Sequence, residues 1–330
     1  MFSGYHIGLK AFCVCVGLTL AASTAAAEQA GRADDFADRI GINIKSPSYG
    51  NYALVYSNTA LVGSKLAELG IRYYRVNAKD VDDDWAFCRS LQDTYGLKAD
   101  MQVTFTFSSL SNRLRTNALA LVSVEGPNET DNPAAGFTYK GLGFPTGTIN
   151  FQNDLYHMVK NDPATTNLPV IVPSVAQPTN QSRLIGSLGD YENMHSYPAG
   201  NIPRTFLDSL HITNANLLFT PPKPIVSTET GYHTALQDKA PVSEKAQGKY
   251  MPRLFCDYWT RNIPRVYAYE LFDEGVDQTD AEMTYGILRN DGTPKPAYTA
   301  EKNMIGLLNE PGTNFGPGDF DFSLSGSTNN

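Results

Sequence analysis

Short runs of apolar residues alternate along the chain with longer stretches in which apolar residues recur every three or four positions. The runs are rich in branched and aromatic residues, which favours strands, and the longer stretches have the period of amphipathic helices. The predicted strands are Arg39–Lys45, Ile71–Asn77, Met101–Phe107, Leu119–Gly126, Leu168–Val175, Tyr191–Tyr197, Pro224–Thr230 and Arg265–Phe272. The predicted helices are Leu61–Leu69, Trp85–Tyr95, a segment containing Leu155–Lys160, Ser243–Asn262 and Pro296–Leu308.

Eight strands that alternate with helices predict a single α/β domain, a (β/α)₈ barrel, over residues 28–309. A doubly wound sheet is the alternative. It usually has a glycine-rich phosphate turn after its first strand, and this chain has no G-x-G-x-x-G motif. Only about ten residues separate the third and fourth predicted strands, which is close to the minimum for a parallel crossover. We therefore expect a short or missing third helix.

Residues 1–27 have the pattern of a secretory signal peptide. Lys10 precedes an apolar run, Ala11–Ala22, and small residues end in Ala25-Ala26-Ala27, a typical cleavage site. A membrane anchor is the alternative, but the run is too short to span a bilayer as a helix. We expect export to the periplasm or the medium, and no membrane association after cleavage.

Residues 310–330 form a polar tail that contains glycine and proline. Phe320–Leu324 alternates like a strand, but no partner strand follows it in the sequence. The tail is interpreted as the start of a truncated β-domain, as a strand covering the barrel, or as a mobile tail, of which the last is favoured.

The composition is that of a globular protein, with 42% hydrophobic and 18% charged residues. A net charge of −8 argues against a nucleic-acid partner, and we expect a monomer. Cys88 and Cys256 remain after loss of the signal peptide. They could form one disulfide in an exported protein, but the barrel layout separates their helices and favours two buried free thiols.

Carboxylates stand at the predicted ends of two strands. Glu129 follows strand four, and Glu229 lies at the end of strand seven. Barrel active sites lie at these strand ends, and a buried carboxylate must be paired or functional because burying an unpaired charge is costly. Glycoside hydrolysis uses two such groups, one as acid and one as nucleophile or base.

Asn128-Glu129 and Glu229 resemble the corresponding motifs of clan A glycoside hydrolases. The surrounding segments VEGPNETDNP, VSTETGYHT, YAYELFDEG and YGILRNDGTPKPAY are similar to family 39-like bacterial sequences, and the resemblance extends from Arg39 to Leu308. It implies a retaining hydrolase of a polysaccharide or oligosaccharide that needs no cofactor and no metal. It implies that Glu129 is the acid and then the base, and that Glu229 is the nucleophile.

The resemblance also implies roles for several neighbours. Asn128 would bind the sugar 2-hydroxyl, Arg75 would lie beside the nucleophile, and His195 and Tyr197 would come from strand six, with Tyr197 near Glu229. The chain departs from the clan in two places. Thr130 replaces the proline that often follows Asn-Glu, and strand eight has no tryptophan, so Tyr269 or Phe272 must serve there.

An arginine and a tyrosine hydroxyl beside Glu229 would favour its ionised form, whereas the less compensated Glu129 would hold a proton. A structural interpretation stands beside each role. Glu129 and Glu229 could form ion pairs with a barrel arginine, Arg75 could neutralise the interior, and His195 could be a core residue. Glu270 could bind substrate or belong to a buried network. Glu125 is expected to support the catalytic residues from behind or to be structural rather than catalytic. Asp273 and Glu274 are expected to be charges in a loop.

Aromatic residues near the predicted cleft could stack on sugars. Trp85 is either such a platform or the first core residue of its helix, and Tyr232 is expected to line the cleft together with His233. The remaining stacking candidates are Phe137, Tyr139 and Phe144. The acidic run Asp80–Asp84 is interpreted as a solvated loop rather than a calcium site, and its charge favours a neutral or cationic glycan.

Two other functions fit the sequence less well. A catalytically silent carbohydrate-binding barrel would keep an aromatic cleft without the acid and nucleophile. The intact glutamate pair argues against it, and the short third crossover argues mildly for it. A metal-dependent hydrolase could use His195, Glu229 and Asp273, but one histidine among carboxylates is a poor zinc site.

Overall fold

The structure is a computed structural model that describes residues 28–29, 31–49, 55–104, 108–310, 316 and 318–320. The predicted signal peptide, residues 1–27, lies outside the described residues, as does most of the tail beyond residue 310. In the described part of the chain, no helix is both long enough and apolar enough to cross a membrane.

Eight parallel strands form the barrel in the order β5-β4-β3-β2-β1-β8-β7-β6. A parallel bridge from Ile171 to Tyr191 joins the two ends of this order, so the barrel is nearly closed. The (β/α)₈ prediction is confirmed. The strands are β1 (Ile40–Asn43), β2 (Tyr73–Ala78), β3 (Lys98–Val103), β4 (Leu121–Glu125), β5 (Val170–Ile171), β6 (Glu192–His195), β7 (Ile225–Thr230) and β8 (Arg265–Ala268).

Helices cover the barrel through their apolar faces, and buried side chains of strands and helices form one main core. The α-helices are α1 (Ala33–Ala37), α2 (Thr59–Leu69), α3 (Asp82–Tyr95), α4 (Leu110–Thr116), α5 (Thr146–Lys160), α6 (Thr213–Ala215), α7 (Glu244–Trp259) and α8 (Pro296–Leu308). Shorter helical turns are Ala118–Ala120, Pro133–Ala135, Pro178–Leu184 and Ala281–Thr284, and Leu207–Ile212 is a π-helix.

Local sequence signals explain several helix ends. The Asn58 side chain accepts a hydrogen bond from the backbone N–H of Leu61 and so caps α2 at its start. Gly70 and Gly96 end α2 and α3 in the left-handed conformation that glycine adopts without a steric penalty. After each of these glycines the chain turns and enters the next strand, β2 after α2 and β3 after α3.

The third crossover is short, as predicted, because α4 has seven residues and one further helical turn. The third strand, however, begins at Lys98 rather than Met101 and ends at Val103, and residues 105–107 lie outside the described residues. The prediction placed the start of this strand too late because Asp100 is a charged residue of a type more common in loops. It is fully buried inside the strand, where it accepts a 2.6 Å hydrogen bond from Ser123.

The chain divides into two units, Arg32–Thr313 and the two chain ends. In the second unit Glu28–Gln29 pairs antiparallel with Asp319–Phe320. Asp319 and Phe320 therefore do have a partner strand, from the other end of the sequence. This pairing does not fit the favoured interpretation of a mobile tail for these two residues.

Cys88 and Cys256 are both free thiols. Cys88 is buried on α3, as expected. Cys256, on α7, is exposed rather than buried, so the prediction of two buried thiols is wrong for this residue. It lies on the outward-facing side of an amphipathic helix.

Candidate active site

A buried arginine organises the carboxyl ends of the barrel strands. Arg75 on β2 uses all five N–H groups. Its Nε and Nη2 donate to the two oxygens of Glu125 on β4, Nη1 donates to Asn43 (3.0 Å) and Glu229 (2.7 Å), and Nη2 also donates to Asn128 (2.7 Å). The forked guanidinium suits this arrangement because it can bind two carboxylates and two amide oxygens at fixed angles.

Further polar side chains inside the barrel hold this cluster in place. Glu125 is fully buried and also accepts hydrogen bonds from Asn193 (3.0 Å) and Thr228 (3.2 Å). The Asn43 amide donates to backbone carbonyl oxygens of β7 and β8. The interior is therefore a connected hydrogen-bond network, which keeps Arg75 and Glu125 in one conformation.

Glu229 ends β7 with both carboxylate oxygens bound. Oε1 accepts from Arg75 Nη1, and Oε2 accepts from the hydroxyl of Tyr197 at 2.7 Å. Burial raises the pKa of Glu229, but His195, Arg75 and Tyr197 outweigh burial, so the pKa lies below its ordinary value. Glu229 is thus held as a carboxylate, while 11% of its side chain stays exposed to the cavity.

Glu129 lies in the loop directly after β4. Its φ of 43° falls in the left-handed region, which costs a residue with a side chain about 1–3 kcal/mol. The backbone N–H of Glu129 donates to Ser174 at 3.2 Å, and Ser174 also donates to Asn128. This turn directs the carboxyl of Glu129 towards the cavity, where a quarter of its side chain is exposed.

His195 at the end of β6 links the two carboxyls. Its Nδ1 lies 2.6 Å from Oε1 of Glu129 and 3.4 Å from Oε2 of Glu229. Its Nε2 lies 3.1 Å from the hydroxyl oxygen of Thr228. Burial lowers the pKa of His195, but the adjoining Glu229 and Glu129 outweigh burial and raise it above its ordinary value.

The two glutamates open into a cavity of about 430 Å³ at the carboxyl end of the barrel. Among the residues expected in the site, Arg75, Asn128, Glu129, Tyr197 and Glu229 line it. The other lining residues are Asn43, Ile44, Lys45, Tyr49, Val76, Asn77, Gln102, Thr104, Tyr269, Glu282 and Tyr285. The cavity is predominantly polar, which suits a hydroxylated ligand better than an apolar one.

Three tyrosines form an aromatic wall beside Glu229. The ring centres of Tyr197, Tyr269 and Tyr285 lie 5.3–6.4 Å apart in edge-to-face contacts. Tyr269 follows β8, and its peptide bond to Glu270 is cis. Of the two residues considered for the missing tryptophan, Tyr269 lines the cavity, whereas Phe272 is fully buried against Tyr56.

Three residues expected to bind substrate do not face the cavity. Trp85 is 1% exposed in the core, with its indole N–H bound to the backbone oxygen of Lys79, so the stacking prediction is wrong for it. Tyr232 is 2% exposed, and its hydroxyl donates to the backbone oxygen of Asn201. Glu270 is fully buried and accepts from Tyr56, which fits the buried-network alternative.

Other candidates from the sequence also have structural partners. Phe137 and Tyr139 pack against Phe151, and His233 binds the backbone oxygen of Lys239. Asp273 forms a buried ion pair with Lys295, and Glu274 forms one with Lys45, so neither is a free loop charge. In the acidic run, Asp80 and Asp82 bind Arg113, and Asp84 accepts from Ser48.

Several residues that line the cavity were not predicted from the sequence. Lys45, Asn77, Gln102 and Thr104 extend from strands β1 to β3, and Glu282 and Tyr285 come from the loop after β8. Lys45 and Asn77 stand at the ends of predicted strands, which was their only sequence signal. Gln102 and Thr104 lie inside the predicted third strand and had no such signal. Nothing in the sequence indicates that the loop after β8 turns back into the cleft.

Glu129, His195 and Glu229 each offer an atom within 4.8 Å of the other two, which is close enough to share a cation. The surroundings do not suit a metal, because a guanidinium already binds Glu229 at 2.7 Å and a second cation there would be repelled. Asp273, considered with His195 and Glu229 as a metal ligand, is not part of this group.

No protein-family model matches this sequence, and no curated protein matches it either. Solved structures do share its fold. A family 39 glycoside hydrolase from Bacteroides cellulosilyticus is similar with a TM-score of 0.62 and 15% identity over 83% of this chain, and the match spans 65% of that enzyme. A monomeric β-xylosidase from Caulobacter crescentus has a TM-score of 0.59 and 16% identity, covering 83% of this chain and 69% of that one.

A family 17 β-1,3-glucanosyltransferase from Rhizomucor miehei is similar at a TM-score of 0.59 and 16% identity, covering 79% of this chain and 96% of that one. At these identities the likeness establishes the fold, a barrel of the kind found in glycoside hydrolases. The chemistry of this chain has to be argued from its own residues.

Proposed function

We propose that this protein is a retaining glycoside hydrolase. One observation carries the proposal: a carboxylate oxygen of Glu129 lies within 4.8 Å of one of Glu229, both beside Nδ1 of His195 and facing one cavity. Retaining glycosidases separate their carboxyls by about 5–5.5 Å, whereas inverting enzymes need about 6.5–9.5 Å to admit a water molecule. The neighbours in fold, which include hydrolases of glycosides, support the same class.

In the first step, Oε2 or Oε1 of ionised Glu229 attacks the anomeric carbon. The bond from that carbon to the leaving oxygen breaks, and Glu129 transfers its proton to this oxygen. A glycosyl ester of Glu229 forms, and the leaving sugar departs as an alcohol. Arg75 and Tyr197 keep Glu229 ionised before attack, and Asn128 is placed to bind the hydroxyl next to the anomeric carbon.

In the second step, Glu129 acts as a carboxylate. It removes a proton from a water molecule, whose oxygen attacks the anomeric carbon and releases Glu229. The product keeps the anomeric configuration of the substrate because two inversions have occurred. No cofactor is required, since two carboxyl groups suffice.

A catalytically silent carbohydrate-binding barrel is the alternative. It would need the cavity but not the close carboxyl pair, nor the hydrogen bonds that keep Glu229 ionised. Both features are present here, and they favour catalysis.

The test uses the mature chain from Glu28 onward with natural glycans and aryl glycosides, beside Glu229→Ala and Glu129→Ala. Both variants should lose at least about 10³-fold in kcat, because each removes a group that takes part in bond making or breaking. Azide should rescue Glu229→Ala with an inverted glycosyl azide, and Glu129→Ala with a retained one. Unchanged turnover in either variant would exclude the mechanism, and glycan binding without turnover by the wild type would favour the silent barrel.

We also propose that the barrel, residues 28–309, acts as an exported monomer. The support is the pattern of residues 1–27, in which a short apolar run is followed by a small-residue cleavage site. Mass spectrometry of the protein recovered from a secreting host should give a chain that begins at Glu28. A recovered chain that still contains residues 1–27 would contradict cleavage of the signal peptide. Analytical ultracentrifugation would test the monomer, and a sedimenting mass of twice the chain mass would contradict it.

A further inference from the structure

Glu282 is an uncommitted carboxylate on the wall of the cavity. It lies in the turn Ala281–Thr284 after β8, is exposed, and lines the same cavity as Glu229. Its side chain accepts one long contact, 3.4 Å from the hydroxyl of Tyr269. Most of its hydrogen-bonding capacity is therefore open to a ligand.

Among the residues that the structure describes, Arg75 and Lys45 are the cations that line the cavity, and both are already paired. All five N–H groups of Arg75 have acceptors inside the barrel. Lys45 donates to Tyr269 at 2.6 Å, and its ammonium lies 3.0 Å from Glu274 and 4.0 Å from Glu270. Glu270 and Glu274 lie beside this lysine, and Glu282 lines the same cavity, so this part of the site has more carboxyl groups than cations.

Another part of the cavity wall is formed by the uncharged side chains of Asn77, Gln102 and Thr104. The Asn77 amide lies within hydrogen-bond distance of Gln102 and Thr104, and the Gln102 amide donates to Thr104 at 2.8 Å. Such amide and hydroxyl groups can donate to and accept from sugar hydroxyls. They offer no charge to balance an anionic substituent.

We propose that Glu282 determines specificity, accepting hydrogen bonds from hydroxyl groups of the sugar bound beside Glu229 and selecting neutral sugars over uronic acids. The inference rests on the proposed function, because it names the substrate class of the same site. A carboxylate bound to a hydroxyl forms a charge-assisted hydrogen bond. A uronate carboxylate would meet a like charge, and the described part of the cavity wall has no free cation to balance it.

The test compares 4-nitrophenyl glucosides with glucuronides and galactosides with galacturonides, using both anomers of each. The wild type should cleave the better neutral substrate at least about 100-fold more efficiently, in kcat/KM, than the matching uronide. Glu282→Gln should raise KM for the neutral sugar about 10-fold and reduce the preference over the uronide by at least about 10-fold. Glu282→Lys should reduce the preference further.

Glu68→Gln is the matched control, since it makes the same change on the outer face of α2, and its preference should equal that of the wild type. Equal cleavage of neutral and uronic substrates by the wild type, or an unchanged preference in Glu282→Gln, would overturn the inference.

If no glycoside is cleaved, the proposed function fails, and binding decides the inference. NMR titration with glucose and glucuronate should then show tighter binding of glucose, lost in Glu282→Gln. Absence of this difference, or of any sugar binding, would refute it.

Discussion

The Nδ1 atom of His195 lies 2.6 Å from Oε1 of Glu129, while Nε2 of the same ring lies 3.1 Å from the Thr228 hydroxyl oxygen. The single proton of the Thr228 hydroxyl is donated to one of two acceptors, Asn193 Oδ1 at 2.8 Å or Glu125 Oε1 at 3.2 Å. Nε2 must therefore be the donor to Thr228. One proton is left between Nδ1 and Glu129, where it resides either on the carboxyl or on the ring.

His195→Gln should move the alkaline limb of the pH dependence of kcat/KM to lower pH. Glu229 and Glu129 raise the pKa of His195, and glutamine would remove this titrating group from beside the two carboxyls. The loss in kcat/KM at the optimum should be about 10- to 100-fold. The pH profiles of the two proteins provide the measurement, and an alkaline limb at the same pH would contradict the shared proton.

Arg75→Met should destabilise the fold by about 3–5 kcal/mol, because it leaves buried Glu125 without its counter-ion. The double variant Arg75→Met/Glu125→Gln should recover part of that loss, since the remaining buried amide carries no charge. Urea unfolding of the wild type, the two single variants and the double variant gives the coupling free energy between Arg75 and Glu125. Strict additivity of the two single changes would mean that the pair does not act as an ion pair.

Stability should fall as pH rises from about 4.5 to about 8 because of Glu301 on α8. Burial raises the pKa of Glu301 to about 8, and its Oε1 has no hydrogen-bond partner among the described residues. Within this window the unfolded chain loses the proton while the folded chain keeps it. Glu301→Gln should thus match the wild type near pH 4 and exceed its free energy of unfolding at pH 8 by on the order of a few kcal/mol.

Glu68 should change the stability of the fold with pH in the opposite direction to Glu301. Hydrogen bonds from Lys302 and Lys65 lower the pKa of Glu68 to about 2. Its small contribution to the free energy of unfolding is therefore present above pH 4.5 and is lost as the pH falls. Denaturant curves at pH 4, 6 and 8 distinguish the two groups. A Glu301→Gln variant less stable than the wild type at pH 8 would show that the buried carboxyl has a stabilising partner.

A thiol reagent should modify Cys256 and spare Cys88 in the folded mature chain. Cys256 is exposed, whereas Cys88 is buried with its pKa raised to about 12 by burial. Mass spectrometry after brief labelling should therefore show one modified thiol, and two after unfolding. Equal labelling of both in the folded protein would contradict the burial of Cys88.

Residues at strand ends explain why much of the site was predictable. Glu129, Glu229, Arg75 and Asn128 are adjacent to strongly apolar runs, and a parallel barrel brings all strand ends to one face. The expectation that Trp85 and Tyr232 contact substrate was wrong because a position after a strand does not fix the direction of a side chain. They follow strands too, but their large apolar rings turn into the core, and a one-dimensional pattern does not record that direction.

The sequence by itself determined the number and order of barrel elements, the short third crossover and the two catalytic candidates, because periodicity and strand-end position are local properties. Tertiary structure alone decided the approach of the two carboxyls to within 4.8 Å, the five acceptors around Arg75 and the entry of Glu282 into the cleft. These depend on contacts between residues as far apart as Arg75 and Glu229, which only the closure of the barrel brings together.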